Sequence, residues 1–193
     1  MLAREGEGLL TYTRSHLSVH AATERVKQKV VSSFAALAFD VPVTLVLDDR
    51  PGYASKVLST LSRPQPVLLV TANRSKHYLL DVLESEPEGL VASAIPPPRR
   101  LAYYLSRVAV GEHFCEGPTP SKSPLTPRER QVLRRTVYGE SVDRLAASLG
   151  ITTYTAGEHL GHIRGKLSVA RNAELVLAYF AGDAAGSVKA IRE

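Results

Sequence analysis

The sequence predicts two domains of different class: an α/β domain with a parallel sheet, followed by a small all-α domain. In the N-terminal part, short apolar runs such as VPVTLVL and PVLLV alternate with helix-like segments, which is typical of a parallel sheet covered by helices on both faces. After Leu125, apolar residues recur at helical spacing in three segments bounded by capping residues and glycines.

The first predicted elements are a strand at LLTYT, beginning at Leu9, and a helix at ATERVKQKVVSSFAALAF, residues 22–39. Val26, Val30, Phe34 and Leu37 of this helix recur at helical spacing. The strands VPVTLVL, PVLLV and GLVASAI then alternate with the helices YASKVLSTL, KHYLLDVLES and RRLAYYLSRVAV. This alternation predicts the parallel sheet.

The composition predicts a cytoplasmic protein that makes no contact with a membrane. The chain has 193 residues, 44% of them hydrophobic, which is enough for two small cores. Charges interrupt the opening residues MLAREGEGLL, where a signal peptide needs an apolar core, and no apolar run approaches the roughly 18 residues of a membrane span. The single cysteine, Cys115, excludes an internal disulfide and a cysteine-based zinc cluster.

The positive charge is concentrated toward the C-terminus. The formal net charge is +5; from Ser121 onward eleven Lys and Arg stand against seven Asp and Glu, whereas residues 1–120 carry thirteen and twelve. This excess suits a phosphate backbone and is equally compatible with a solvated surface.

A proline-rich stretch divides the chain. The segment GEHFCEGPTPSKSPLTP contains four prolines among glycine and serine, so we predict neither a helix nor a central strand there. The predicted divisions are an α/β domain at 1–111, a linker at 112–123 and a helical domain with a C-terminal tail at 124–193.

The helical domain begins with a predicted capping box. Thr126 supplies the N-cap, Pro127 the first helical position and Glu129 the acidic partner that reaches back to the cap amide. This first helix carries Val132, Leu133, Thr136 and Val137 on one face and is expected to end at Gly139.

Two further helices follow at helix-turn-helix spacing. Ser141 is expected to cap the second helix, Gly150 to end it and Thr152 to cap the third. In the third helix a buried stripe is predicted, which leaves the opposite face free for a DNA major groove; the stripe consists of Ala156, Leu160, Ile163 and Leu167.

The segments LTPRERQVL, GESVDRLAASLGITTYTAGEHLGHIRGKL and VARNAELV resemble the DNA-binding domain of the LuxR, NarL and FixJ family of bacterial transcriptional regulators. The resemblance covers about sixty residues, at the family's spacing of caps, glycines and turn. It implies a fourth helix, Ala173 to Ala181, that commonly forms a dimer contact. Leu175, Val176 and Tyr179 suit that contact, and packing within their own domain is an equal alternative.

The exposed face of the third helix departs from the family pattern. Family members typically present lysine or other polar side chains there, whereas this chain has Gly157, Glu158, Gly161 and Gly165. Either the bare face lets the helix sit unusually deep in the groove, or base readout has decayed. Glu158 suits a hydrogen bond from cytosine N4, although a carboxylate is repelled by phosphates.

Residues suited to phosphate contacts are better represented than residues suited to base readout. Hydroxyls crowd the start of the third helix, where backbone amides also favour an anion, and cations follow further along. The predicted DNA-contacting residues are Thr152, Thr153, Tyr154, Thr155, Gly157, Glu158, Gly161, His162, Arg164, Lys166 and Arg171.

The N-terminal half resembles the later part of a response-regulator receiver domain, whose parallel sheet is flavodoxin-like. PVLLVTANRSKHYLLDVLESEPEGLVAS is similar to its fourth strand, fourth helix and fifth strand, and RRLAYYLSRVAVGEHF to its last helix. The resemblance implies a degenerate receiver, because the region before Val41 is too short for two complete βα units and the acidic pair that holds magnesium is missing. Ser93 occupies the lysine position. Thr71 fits the hydroxyl position.

No phosphoacceptor is assigned in this receiver-like half. Asp48 is a weak candidate, and we expect Asp48 and Asp49 to form a solvated strand end.

We expect no catalytic residues, cofactor or metal. His159 with His162 and His16 with His20 have helical spacings, but neither pair has a third ligand nearby. Surface or partly packed histidines are the expected outcome. Gly-rich phosphate loops and nucleophile elbows are also absent from the sequence, so an enzyme is the least favoured class.

The sequence therefore predicts a non-enzymatic, phosphorylation-independent transcriptional regulator that binds double-stranded operator DNA as a homodimer. A small-molecule or protein effector is expected at the N-terminal domain. One alternative is an interaction protein that no longer reads DNA and pairs with a related regulator. Another is an RNA polymerase sigma subunit, against which the α/β half argues.

Overall fold

The computed structural model describes residues 11–14, 17–34, 41–61, 65–118, 120 and 122–181. The predicted strand start at Leu9, the predicted helix end at 35–39, His16 and the C-terminal tail 182–193 lie outside these ranges. The chain divides into two compact units: Met1–Asn73 with Val82–Thr119, and Arg74–Asp81 with Pro120–Glu193.

The first unit contains a six-stranded sheet whose strands lie side by side in chain order. The first two strands are antiparallel, and every later neighbour pair is parallel. This confirms the predicted α/β class with a parallel sheet. The strands are β1 (Thr11–Arg14), β2 (Leu17–Ala21), β3 (Val43–Asp48), β4 (Val67–Thr71), β5 (Gly89–Ala92) and β6 (Phe114–Glu116).

Four helices connect or follow the strands, and two of them share one core with the sheet. Alternate strand residues such as Leu45, Leu68 and Val91 pack with Val30 and Leu105 from the first and fourth helices. Because strand side chains alternate between faces, these residues define one side of the sheet. The helices are α1 (Glu24–Ser33), α2 (Tyr53–Thr60), α3 (Lys76–Leu83) and α4 (Pro98–Ala109).

Two strands were not predicted. In β2, Leu17, Val19 and Ala21 are buried, and pairing with β1 and β3 on either side also buries His20. The expectation of a surface or partly packed histidine was therefore wrong for His20, because this residue lies on an inner strand that was not predicted. The other strand, β6, lies within the segment predicted as a linker, and its parallel pairing with β5 precedes the prolines.

The second unit contains the four C-terminal helices, whose predicted punctuation is confirmed. Thr126 and Glu129 form a complete capping box, and the hydroxyls of Ser141 and Thr152 accept the expected amide hydrogen bonds. The terminating glycine Gly150 has a left-handed backbone, with φ of +64°. The helices are α5 (Pro127–Val137), α6 (Val142–Leu149), α7 (Thr153–Leu167) and α8 (Asn172–Ala181).

The second unit also includes the first six residues of α3 and the two residues before them. Tyr179 of α8 donates its hydroxyl proton to Asp81, and the Ser75 hydroxyl donates to the Tyr179 carbonyl oxygen at 2.5 Å. The ring of Tyr78 meets the Tyr179 ring edge-on, with centroids 5.9 Å apart. Burial, with Asp81 beside it, raises the pKa of Tyr179 well above its ordinary value.

Gly89→Ala tests the close packing of β5. A Cβ at Gly89 would lie 2.8 Å from Leu68 Cδ1 and Val108 Cγ2, and 2.9 Å from Phe114 Cζ. We expect a loss of about 1–3 kcal/mol in the free energy of unfolding, measured by urea titration with circular dichroism. Gly157→Ala is the control, because a Cβ there meets nothing within 4 Å and alanine in a helix interior should stabilise by about 0.8–1 kcal/mol. Undiminished stability of Gly89→Ala would show that this packing is loose.

Candidate DNA interface

Helix α7 is held by one apolar face. Ala156, Leu160 and Ile163 are buried, as predicted, and Leu167 is partly buried. An α-helix turns by about 100° per residue. A residue two positions along the chain from a buried residue therefore lies on nearly the opposite side of the helix. The buried stripe therefore fixes which residues point outward.

The outermost line of α7 consists of Tyr154, Glu158, Gly161 and Gly165, which we call the outward ridge. Tyr154 is 75% exposed, and Glu158 and Gly165 are also exposed. A Cβ added at Gly165 would meet nothing within 4 Å. The ridge therefore offers two side chains in its N-terminal half and bare backbone in its C-terminal half.

Hydroxyl groups surround the N-terminus of α7. The Thr152 hydroxyl accepts from the Thr155 amide at 3.1 Å, and the two threonine hydroxyls lie 2.9 Å apart. Thr153 and Tyr154 are exposed in the first turn. Thr152 is thus occupied in capping, while its neighbours lie beside the amides of a helix start, which favour an anion.

Each cation predicted to contact phosphate has an acceptor within the second unit. Arg164 donates to Asn172 Oδ1 at 2.7 Å, and Lys166 donates to Glu129 Oε2 at 2.7 Å. Arg171 donates to Glu174 Oε1 at 3.3 Å. Any phosphate that these cations bind must therefore compete with a neighbouring side chain.

Glu129 is a residue whose second role the sequence did not reveal. Its carboxylate accepts from the Thr126 amide at 2.7 Å, as the capping box predicts, and also binds Lys166 near the end of α7. Burial alone raises the pKa of Glu129, but hydrogen bonds from Lys166 and Thr126 outweigh it, so the pKa lies below its ordinary value. The capping-box motif identified Glu129 in the sequence but gave no indication of its distant partner, Lys166.

The receiver-like aspartates are not a solvated strand end, and that expectation was wrong. Asp48 is only 9% exposed; its carboxylate accepts from the Ala54 amide at 3.0 Å and from the Thr71 hydroxyl at 2.7 Å. Thr71 faces Asp48 because the two residues are paired in the register of β3 and β4. The β4 strand and the start of α2 together enclose the carboxylate.

Asp49 binds the loop after β2, the strand beside β3. It accepts from the amides of Ala22 and Thr23 at 2.8 and 2.9 Å. A magnesium-holding acidic pair would be expected at the end of this strand in a working receiver, but Ala22 and Thr23 stand there. After β5, the Ser93 hydroxyl donates to the Ala94 carbonyl oxygen at 2.9 Å.

The comparisons with known proteins match both halves of the chain. Residues 123–179 match the family described as bacterial regulatory proteins, luxR family. The chain is 26% identical over 133 residues to the transcriptional regulatory protein UhpA of Escherichia coli, covering 66% of this chain and 67% of UhpA. It is 40% identical over 67 residues to the transcriptional regulatory protein MctR of Rhizobium johnstonii, covering 35% of this chain and 29% of MctR.

A solved structure of the RcsB response regulator from Salmonella typhimurium has the same fold. The TM-score is 0.50 at 19% identity, covering 82% of this chain and 92% of the RcsB chain. Residues 123–179 form a LuxR-family helix-turn-helix domain, and the chain is homologous to the transcriptional regulatory proteins UhpA and MctR. The matching family is one of bacterial regulatory proteins.

None of the helices within the described ranges combines the length and apolarity needed to cross a membrane. In the same ranges, no three side chains of His, Cys, Asp or Glu converge as a group able to hold a metal ion.

Glu129→Gln tests the link between α5 and α7. A folded-state pKa below the ordinary 4.5 means that Glu129 contributes stability fully above pH 4.5 and loses it as the pH falls through the lower folded-state value. Glutamine keeps the capping bond and loses the charge, so this acid-dependent part of the stability should disappear. Hydrogen exchange of the α5 and α7 amides, followed from pH 7 to pH 3, measures it. An unchanged pH profile would show that the ion pair contributes nothing.

Proposed function

We propose that this chain binds double-stranded operator DNA as a homodimer through α7, without phosphorylation of Asp48, in the cytoplasm. The observation that supports this proposal most directly is the outward ridge, which is exposed on a helix whose opposite face is buried. A helix presented in this way fits a major groove.

The proposed DNA contacts divide by their chemistry. Exposed hydroxyls and amides at the start of α7 suit phosphate oxygens, as do the cations beyond the ridge. The ridge itself suits base edges, and the lack of side chains at its glycines permits close approach to the groove floor. The proposed set is Thr152, Thr153, Tyr154, Thr155, Gly157, Glu158, Gly161, His162, Arg164, Lys166 and Arg171.

The proposed dimer contact is the outer face of α8. Leu175 and Tyr179 are buried within the second unit, so these two do not form the contact. Val176 and Leu177 are exposed, at 37% and 54%. Together with Ala173 and Ala181, which are also exposed, they form an apolar stripe at helical spacing. Burying such a stripe against its copy is favourable and produces a symmetric pair.

Phosphorylation independence is supported by the surroundings of Asp48. Aspartyl phosphorylation needs a metal held by acidic neighbours and a cation for the transferred phosphoryl group. Here Asp49 binds two backbone amides, Ser93 stands in the lysine position, and the Asp48 carboxylate is buried against Thr71. The proposed input is therefore a small-molecule or protein effector at the N-terminal unit.

DNA binding is tested with the purified full chain and labelled duplexes by fluorescence anisotropy. Log affinity should fall linearly as log salt rises, with a slope of about −0.9 per phosphate neutralised. Gly161→Glu adds a carboxylate to the ridge and should weaken binding by at least about tenfold. Gln131→Glu adds the same charge to the exposed side of α5 and should weaken it less. A folded dimer that binds no duplex at low salt would favour the alternative of an interaction protein that pairs with a related regulator.

The dimer contact is tested by Val176→Glu. A carboxylate in the apolar stripe should raise the dimer dissociation constant by about tenfold or more, since burying an unpaired charge is costly. Val142→Glu on α6 is a matched control, because both valines are 37% exposed. Sedimentation equilibrium measures both variants. Equal association of the two would place the dimer contact elsewhere.

Phosphorylation independence is tested by incubating the chain with acetyl phosphate and magnesium and measuring its intact mass. We expect no stable gain of a phosphoryl group, because the Asp48 carboxylate is enclosed by Thr71 and Ala54. A gain that disappears in Asp48→Asn would refute this part of the proposal.

A further inference from the structure

Glu158 lies almost directly opposite the buried stripe of α7. With about 100° of rotation per residue, the direction away from Ala156, Leu160 and Ile163 passes within about 15° of Glu158. The residue is exposed. If α7 enters a groove, the Glu158 side chain therefore points toward its floor.

Few other side chains on the outward ridge can compete for the bases. Gly161 and Gly165 carry no side chain, and Tyr154 lies in the first turn beside the phosphate-binding end of the helix. Flanking Gly157 leaves open space, since a Cβ there meets nothing within 4 Å. Glu158 is thus the only carboxylate of the outward ridge; Gly161 follows it on the ridge, and exposed His162 lies beside the ridge.

A carboxylate selects among base edges because it accepts hydrogen bonds and donates none. In the major groove, guanine presents two acceptors and thymine presents one, so both repel it. Adenine places its N7 acceptor next to its N6 donor. Cytosine N4 has an acceptor on one side only, the O6 of its paired guanine, whereas adenine N6 lies between N7 and thymine O4, so cytosine is the base best matched to an anionic acceptor.

We propose that Glu158 specifies cytosine at one position in each half-site of the operator. This inference rests on the proposed DNA-binding function and adds its base preference. The same carboxylate reduces affinity for DNA of any sequence, because it approaches the phosphates. Glu158 therefore lowers the affinity for DNA of any sequence and raises the preference for cytosine.

The test is binding-site selection from random duplexes with the full chain, followed by measured affinities for single-base variants of the selected site. The wild-type chain should select cytosine at one position per half-site and bind it about tenfold more tightly than the other bases. Glu158→Gln keeps the shape and adds a donor that suits adenine N6 and N7, so the preferred base there should change to adenine. Glu158→Ala should lose the preference and bind random DNA more tightly.

Asp143→Asn is the matched control, because it removes one exposed carboxylate from α6 and should leave the selected site unchanged. Circular dichroism and sedimentation confirm that each variant is folded and associated like the wild type. If the wild type and Glu158→Gln select the same base at every position, the inference is overturned while DNA binding stands. If no protein binds any duplex at low salt, the proposed function fails as well.

Discussion

The candidate DNA interface depends on the Glu129 carboxylate, because this group caps the start of α5 and also binds Lys166 in the last turn of α7. Helix α7 contains three interior glycines, each costing about 0.8–1 kcal/mol relative to alanine, so propensity alone does not keep it helical. The Thr152 cap fixes its start, the buried stripe fixes its rotation, and the bond from Lys166 to Glu129 anchors its end at 2.7 Å. These contacts keep α7 helical although part of the outward ridge consists of glycines.

Local signals explain why so much of the second unit was predictable from the sequence. Caps and terminating glycines act within three or four residues, so Thr126, Ser141 and Gly150 could be assigned by spacing alone. The partner of Lys166 is 37 residues away, and no pattern within α7 indicates it. The strands β2 and β6 were missed for a related reason: each is short, and pairing with a neighbouring strand, rather than its own composition, makes it part of the sheet.

In the receiver-like unit, too, the sequence predicted where polar residues lie but not which partners their side chains bind. The sequence placed Asp48 and Thr71 at the ends of neighbouring strands, where a working receiver carries its reactive groups. It did not show that the two side chains bind each other, because that depends on the register of β3 with β4. Thr71 donates to Asp48, and Asp49 accepts from the loop after β2, so these hydrogen bonds tie the ends of β2, β3 and β4 together.

Pairing among the charged residues also bears on the proposed DNA binding. Because Arg164, Lys166 and Arg171 already have acceptors, binding phosphates exchanges one partner for another and gains less than an unpaired cation would. Phosphate contacts strengthen binding to every sequence equally, whereas base contacts strengthen binding to one. Specificity is the ratio of these affinities. Phosphate contacts cancel from that ratio, so modest phosphate binding would lower the affinity for every duplex and leave discrimination to the base contacts, for which the ridge offers two side chains.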